Sequence, residues 1–282
     1  MELKVRKYGK FTIGRAVSFL ILVLLAFVML VPLFWTVGMA LKPDSEVYLN
    51  TFWPSQPDFS NFSRAIQAVP FMQYVWNTLV YVVTDVAGVV ISSVLVAYGF
   101  SRFNFKGKRF WFLILLATMM LPEQITMVPR FLMFREIGWV NTILPMVVPR
   151  WFATNAFGVF LVRQFMGGIP KDFDEAASID GASRFRTLRS IIIPMSKPAI
   201  TAILIFTFLG TWSDFKSPLI YLYDSDKYTI SLGLSFFKGL YTSQWNLLMA
   251  ATLMSILPIF IIFVIFQKQI IDGISISSGT KG

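Results

Sequence analysis

Residues 174–199 read DEAASIDGASRFRTLRSIIIPMSKPA. Polar helix formers fill this stretch, yet both flanks are strongly apolar: 142–161 carries Arg150 as its one charge, and 198–222 carries only Asp214 and Lys216. Apolar segments of about 20 residues cross a bilayer as helices. The stretch therefore reads as a polar module set between two spans, larger than a simple turn.

Its local grammar divides it in two. Asp172 is expected to cap a short helix, with Glu175 reaching back to the cap, Ala176 and Ala177 favouring the helix, and Gly181 supplying a left-handed stop. Ser183 is expected to cap a second helix, with Phe185, Leu188, Ile191 and Ile192 on one apolar side and Arg184, Arg186 and Arg189 solvated. Pro194 is expected to end that helix and Pro198 to open the next span. Grammar alone leaves open whether the module only joins spans or docks a soluble partner.

Composition agrees with a membrane chain. The 282 residues are 56% hydrophobic, with a mean hydropathy of +0.66. With no His and no Cys, the common general base, the usual zinc ligands, thiol nucleophiles and disulfides are all lacking. No catalytic or metal-binding residues are assigned.

Six spans are expected, over about 16–41, 75–100, 110–128, 142–161, 198–222 and 247–266. The first is read as an uncleaved anchor because its apolar run exceeds a signal-peptide core. With the N-terminus in the cytoplasm, most of the 25 basic residues fall on inside segments, Lys106, Lys108, Arg109, Arg184, Arg186 and Arg189 among them. That is the positive-inside pattern, and it accounts for the net charge of +10 without nucleic acid. No repeat or linker divides the chain, so 1–282 is expected to be one all-α integral membrane domain with six transmembrane helices.

Ionisable groups at bilayer depth should face an interior or a water-filled path. Asp85, Glu123 and Asp214 are therefore candidate pathway residues, with Arg150 a possible structural partner for Asp85. Trp151 with Asn155, and Trp212 with Asp214, combine a stacking face with hydrogen-bonding groups and are further candidate pathway residues. Belt anchoring is the competing reading of the tryptophans.

EAASIDGASRFRTLRSIIIP (175–194) resembles the EAA motif of ABC importer permeases: Glu175, Ala176 and Ala177, then Gly181, then an apolar stretch closed by Pro194. AYGFSRFNFKGKR (97–109), MLPEQITMVP (120–129), TWSDFKSPLIYL (211–222) and FQKQIIDGISISSGTKG (266–282) are similar to the maltose-type carbohydrate importer permeases. Ser213 stands where that family has Asn, the tail ends SGTKG rather than GAVKG, and Asp85 replaces an expected neutral residue.

The resemblance implies a type I ABC importer permease fold, with a cytoplasmic EAA coupling loop over about 171–194 between helices 4 and 5. It implies that Glu175, Ala176, Ala177, Gly181, Arg184, Phe185 and Leu188 dock on a separate ATPase, with Thr280, Lys281 and Gly282 of the tail reaching the ATPase pair. Two ATPase copies would carry the ATP and Mg, since this chain has no phosphate-binding P-loop. A second permease subunit is also implied, non-identical by resemblance, although a homodimer stays open. An extracytoplasmic solute-binding protein would contact 47–73 and 223–246.

The expected function is thus import of a sugar or oligosaccharide across a bacterial or archaeal cytoplasmic membrane, with both termini cytoplasmic. The alternatives are import of another polar solute, such as a polyamine or amino acid, and secondary transport. The second is disfavoured because no two related halves are visible.

Overall fold

The computed structural model describes residues 13–239 and 244–277. The tail positions Thr280, Lys281 and Gly282 lie outside the described residues. The principal elements are α1 (Ile13–Ala40), α2 (Ser60–Ala68), α3 (Phe71–Arg102), α4 (Lys108–Thr118), α5 (Glu123–Glu136), α6 (Ala156–Gly167), α7 (Asp172–Ile179), α8 (Arg184–Met195), α9 (Lys197–Trp212), α10 (Lys216–Tyr221) and α11 (Trp245–Ser277). Among the described residues every regular element is helical.

Three single helices are long and apolar enough to cross a membrane: 16–40, 71–102 and 245–267. Two bent pairs pass the same test, α4 with α5 at 95° and α8 with α9 at 77°. The expected third span, 110–128, is therefore a broken helix. Its break falls at Met119–Pro122, where Pro122 lacks an N–H and takes an extended ψ of 130° before α5. Pro129, by contrast, sits inside α5.

The expected fourth span, 142–161, is not one helix either. A short turn, Leu144–Val147, leads into a 3-10 turn, Val148–Phe152, and Ala153 then adopts a left-handed φ of 57°. Pro145 and Pro149 each remove a donor from the ladder, so regular helix starts only at Ala156. In the expected fifth span, α9 ends at Trp212 and the chain restarts as α10 after Phe215.

The chain divides into two compact units. The first takes residues up to Ala65 together with Phe237–Met254. There α1 presents apolar side chains outward along most of its length, Leu22, Phe27 and Met29 among them. Where α1 stops, polar groups gather: the Asn61 amide donates to the carbonyls of Ala40 and Lys42 at 2.9 and 2.8 Å. The Asn246 amide reaches the Lys42 carbonyl at 3.1 Å and Asp44 Oδ1 at 2.8 Å. Arg64 pairs with Asp44 at 2.7 Å, and this guanidinium, with Asn246, holds the Asp44 carboxyl below its ordinary range.

The second unit takes 66–236 and the residues from Ser255 onward. Its central element is α3, which packs against α6 and α9. Tyr74, Thr78, Tyr81, Asp85, Val89 and Ser92 recur at helical spacing and are all buried, so one face of α3 is an interior polar and aromatic stripe. Gly88 lies within this helix because the Trp151 indole comes so close that a Cβ there would stand 2.7 Å from the ring. Val94, Ala97 and Tyr98 of α3, with Val162 and Met166 of α6, Leu188 and Ile192 of α8 and Ile203 of α9, form the apolar core at one end of the unit.

Candidate functional site

Two places in the second unit combine polar chemistry with access. The first is a cavity of about 430 Å³ lined by α3, α9, the start of α5, the segment before α6 and the approach to α10. Asp85 is only 1% exposed on its wall. Thr211 Oγ1 donates to Asp85 Oδ2 at 2.6 Å, and Arg150 Nε stands 3.3 Å from Oδ1. Ser92 Oγ in turn donates to the Arg150 carbonyl at 2.9 Å, tying the 3-10 turn to α3. Arg150 keeps 40% of its side chain exposed. It is anchored by one carboxylate and still free to meet something in the cavity.

The neighbouring acids are also partnered. Tyr81 Oη donates to Asp214 Oδ2 at 2.9 Å and the Ser217 N–H to Oδ1 at 3.0 Å, while Lys216 Nζ pairs with Glu123 Oε2 at 2.6 Å. An adjoining cavity of about 500 Å³ shares Tyr81, Glu123, Arg150 and Ser217 and adds Arg130, Phe134 and Tyr221. Phe134 stacks on Trp139 at 5.6 Å and meets Tyr221 edge-on at 5.7 Å, which stiffens that wall. The two cavities together offer aromatic surface with a dense set of donors and acceptors, a lining suited to a polyhydroxylated guest.

Of the residues singled out from sequence, Asp85, Glu123, Asn155 and Asp214 line the first cavity. Asn155 also caps α6, accepting from the Gly158 N–H at 2.9 Å. The two tryptophans line neither cavity. Trp151 lies on Gly88. Trp212 is 3% exposed, donates from Nε1 to the Ser255 carbonyl at 3.0 Å and stacks on Phe208 at 5.6 Å. Its ring is committed to packing and cannot stack on a solute. Tyr81, Thr211 and Lys216 were not singled out, although Tyr81 precedes Asp85 by one helical turn and so shares its face.

The second place is the module over 171–196. Gly181 has the left-handed φ of 72° expected of a helix stop, and Ser183 caps α8 by accepting from the Arg186 N–H at 3.3 Å. Two expectations are corrected. Asp172 is the first helical residue of α7, not its cap; Lys171 precedes it and makes no side-chain cap bond. Pro194 does not end the second helix. A wide π turn over Leu188–Ile192, closed by the Ile193 N–H on the Leu188 carbonyl, carries the helix through Pro194 to Met195.

Residues expected to share one face are also separated. Leu188 is buried in the core beside Tyr98, Val162 and Ile203, so it is unavailable to a docking partner, whereas Phe185 is 68% exposed. Glu175, Ala176 and Arg184 are exposed too, Ala177 is buried, and Ile179 is 87% exposed. The module is held by contacts not foreseen from sequence. Arg102 Nε lies 3.1 Å from Asp174 Oδ2, with both side chains almost wholly buried. Arg102 also donates to the Ile169 carbonyl at 3.0 Å, and Tyr98 Oη donates to the Arg184 carbonyl at 3.2 Å.

Among the described residues no cluster of His, Cys, Asp or Glu could hold a metal ion.

Comparison with known proteins gives one consistent answer. The family described as "Binding-protein-dependent transport system inner membrane component" matches residues 88–275. The arabinooligosaccharides transport system permease protein AraQ of Halalkalibacterium halodurans is 31% identical, over 92% of this chain and 93% of that protein. The galactooligosaccharides transport system permease protein GanQ of Bacillus subtilis is 28% identical, over 100% of this chain and 99% of that protein. Among solved structures, a chain of a bacterial ABC transporter involved in import of the acidic polysaccharide alginate superposes with a TM-score of 0.82 at 25% identity, covering 92% of this chain and 99% of that one.

Proposed function

The chain belongs to the family of binding-protein-dependent transport system inner membrane components, and on that premise we propose that it is the translocating subunit of an ABC importer for a sugar or oligosaccharide. The observation that carries this reading is the pairing of an exposed helical module with a polar chamber in one compact unit. The helix that lines the chamber at Asp85 also grips the module at Arg102.

Relatives over the full chain length are named for oligosaccharide transport, and the chamber suits such cargo. Its carboxylates are already partnered by Arg150, Lys216, Tyr81 and Thr211, so an uncharged polyhydroxyl chain could exchange hydrogen bonds there without bringing a counter-ion. Asp85, Glu123, Asn155 and Asp214 are the cargo-facing residues in this reading.

Residues 1–282 form one permease domain of six spans, the third broken at Pro122, with both termini in the cytoplasm. The module over 171–194 is the coupling loop. Glu175 offers a carboxylate to the ATPase, Ala176 allows close approach, Gly181 shapes the turn, and Arg184 and Phe185 form the rest of the contact. Ala177 and Leu188 support that surface from within. Thr280, Lys281 and Gly282 reach the ATPase pair, which carries the ATP and Mg. A second, non-identical permease subunit and an extracytoplasmic binding protein complete the machine.

The test is co-purification under gentle extraction followed by reconstitution with the cognate binding protein and a panel of oligosaccharides. ATP-dependent uptake of at least one sugar is expected. Glu175→Lys should insert normally yet lose ATPase association and uptake together. Recovery of the wild type without any ATPase subunit would sink the proposal.

A further inference from the structure

The Arg102–Asp174 pair is unusual in its setting. It joins the last turn of α3 to the first turn of α7, and its side chains are only 4% and 11% exposed. A buried pair of this kind is weak as a stabiliser because desolvation offsets the Coulomb gain, but it fixes one geometry strongly, since either charge left alone is costly. The fixed geometry here is the attitude of the module on α3. Further contacts act in the same sense. Tyr98 Oη holds the Arg184 backbone, the Arg184 guanidinium lies over the Phe103 ring at 5.9 Å, and Leu188 and Ile192 share one apolar core with Val94 and Ala97.

At its other reach α3 is bound to the chamber. Asp85 lies roughly 25 Å from Arg102 along the axis, at about 1.5 Å of rise per residue. Farther on, the Asn77 amide donates to the carbonyls of Asp226 and Tyr228 at 2.7 and 3.0 Å. No proline interrupts α3, which runs continuously from Phe71 to Arg102.

We propose that Arg102 is a positioning residue that clamps the module to α3, so that module and helix move as one body and a shift imposed at α7 arrives at Asp85. This rests on the proposed coupling role of the module. It adds the load path: the motion enters the chamber through α3 itself, without relying on the connection from α8 into α9, which is bent by 77°.

The experiment exploits the absence of cysteine from the natural sequence. Spin labels are placed through Trp76→Cys and Ile179→Cys, both on exposed positions at opposite ends of the proposed body. Their separation is measured by pulsed EPR in the complex with its ATPase partner, with and without Mg and ATP. In the wild-type background the separation should stay constant. In Arg102→Ala and in Asp174→Ala it should shift or broaden by about 5 Å on nucleotide addition, the scale of a one-turn slip, while ATP hydrolysis by the complex persists. Arg102→Lys should be intermediate.

A nucleotide-dependent change in the wild type overturns the clamp, as does an unchanged separation in both alanine variants. The wild-type measurement decides the matter even if an alanine variant fails to assemble. Absence of any associated ATP hydrolysis in the wild type would instead count against the coupling role on which the clamp rests.

Discussion

Helices α1 and α3 are both long, apolar and continuous, yet they are built to opposite plans. Along α1 most of the apolar side chains face outward, and polar partners collect beyond Ala40, around Asn61 and Asn246. Along α3 the polar groups are inside the helix and inside the unit: Tyr81, Asp85 and Ser92 are buried and each has a partner on another segment. Hydrophobicity says that a helix can live in a bilayer. The position of its few polar groups says whether it also has work in the interior.

This contrast can be broken at several points. The largest effect is expected for Arg150→Ala, which strands the Asp85 carboxylate with Thr211 as its remaining side-chain partner. Removing one member of a buried pair costs about 3–5 kcal/mol, and the higher end applies less here because Arg150 is itself partly exposed. A melting temperature in detergent indistinguishable from the wild type would show that the pair does not hold α3 to the 3-10 turn.

Next comes Gly88→Ala, whose new methyl group must displace the Trp151 indole. Overpacking of this type costs about 1–3 kcal/mol, and tryptophan fluorescence should report the displaced ring. An unshifted spectrum with full stability would remove the close approach from the account.

A smaller effect is expected at the end of α1. Arg64 and Asn246 lower the Asp44 carboxyl below its ordinary value, so its contribution is complete above the unfolded-state range and lost as pH falls through the folded value. The pair is substantially solvent-exposed, which limits the effect to under about 1 kcal/mol. Between pH 6 and pH 3 the wild type should lose slightly more thermal stability than Asp44→Asn; equal losses would show that the Asp44 contacts with Arg64 and Asn246 do not stabilise the end of α1. The smallest effect, under about 0.5 kcal/mol, belongs to Leu22→Val on the outward face of α1. A loss of several degrees there would mean that this face is packed against protein.

Much of the module was legible because its signals are local. Gly181 and Ser183 act on backbone groups within a few residues of themselves, so sequence spacing alone places them. The Asp172 cap and the Pro194 stop failed for a reason of the same scale, because alternatives one residue away were available to the chain. The chamber was half legible. A charge within an apolar segment is conspicuous in the sequence, so Asp85, Glu123 and Asp214 stood out, and Arg150 with Asp85. Trp212 misled because what commits its ring is the carbonyl of Ser255, on a different helix. The Arg102–Asp174 pair escaped notice for the same reason, since each partner looks like an ordinary surface charge in its own segment.

The π turn at Leu188–Ile192 has a further consequence. It holds one residue more than a regular helix would need, and each residue of an α-helix turns the chain by about 100°. A single-residue deletion within 188–192 would let the ladder close as a regular helix and leave Arg184 and Phe185 facing as they do, because the wide turn already absorbs the extra residue. A deletion in the regular turn before it would instead swing Arg184 and Phe185 by about 100°, so the wide turn is where this helix can change length by one residue without re-aiming its exposed surface.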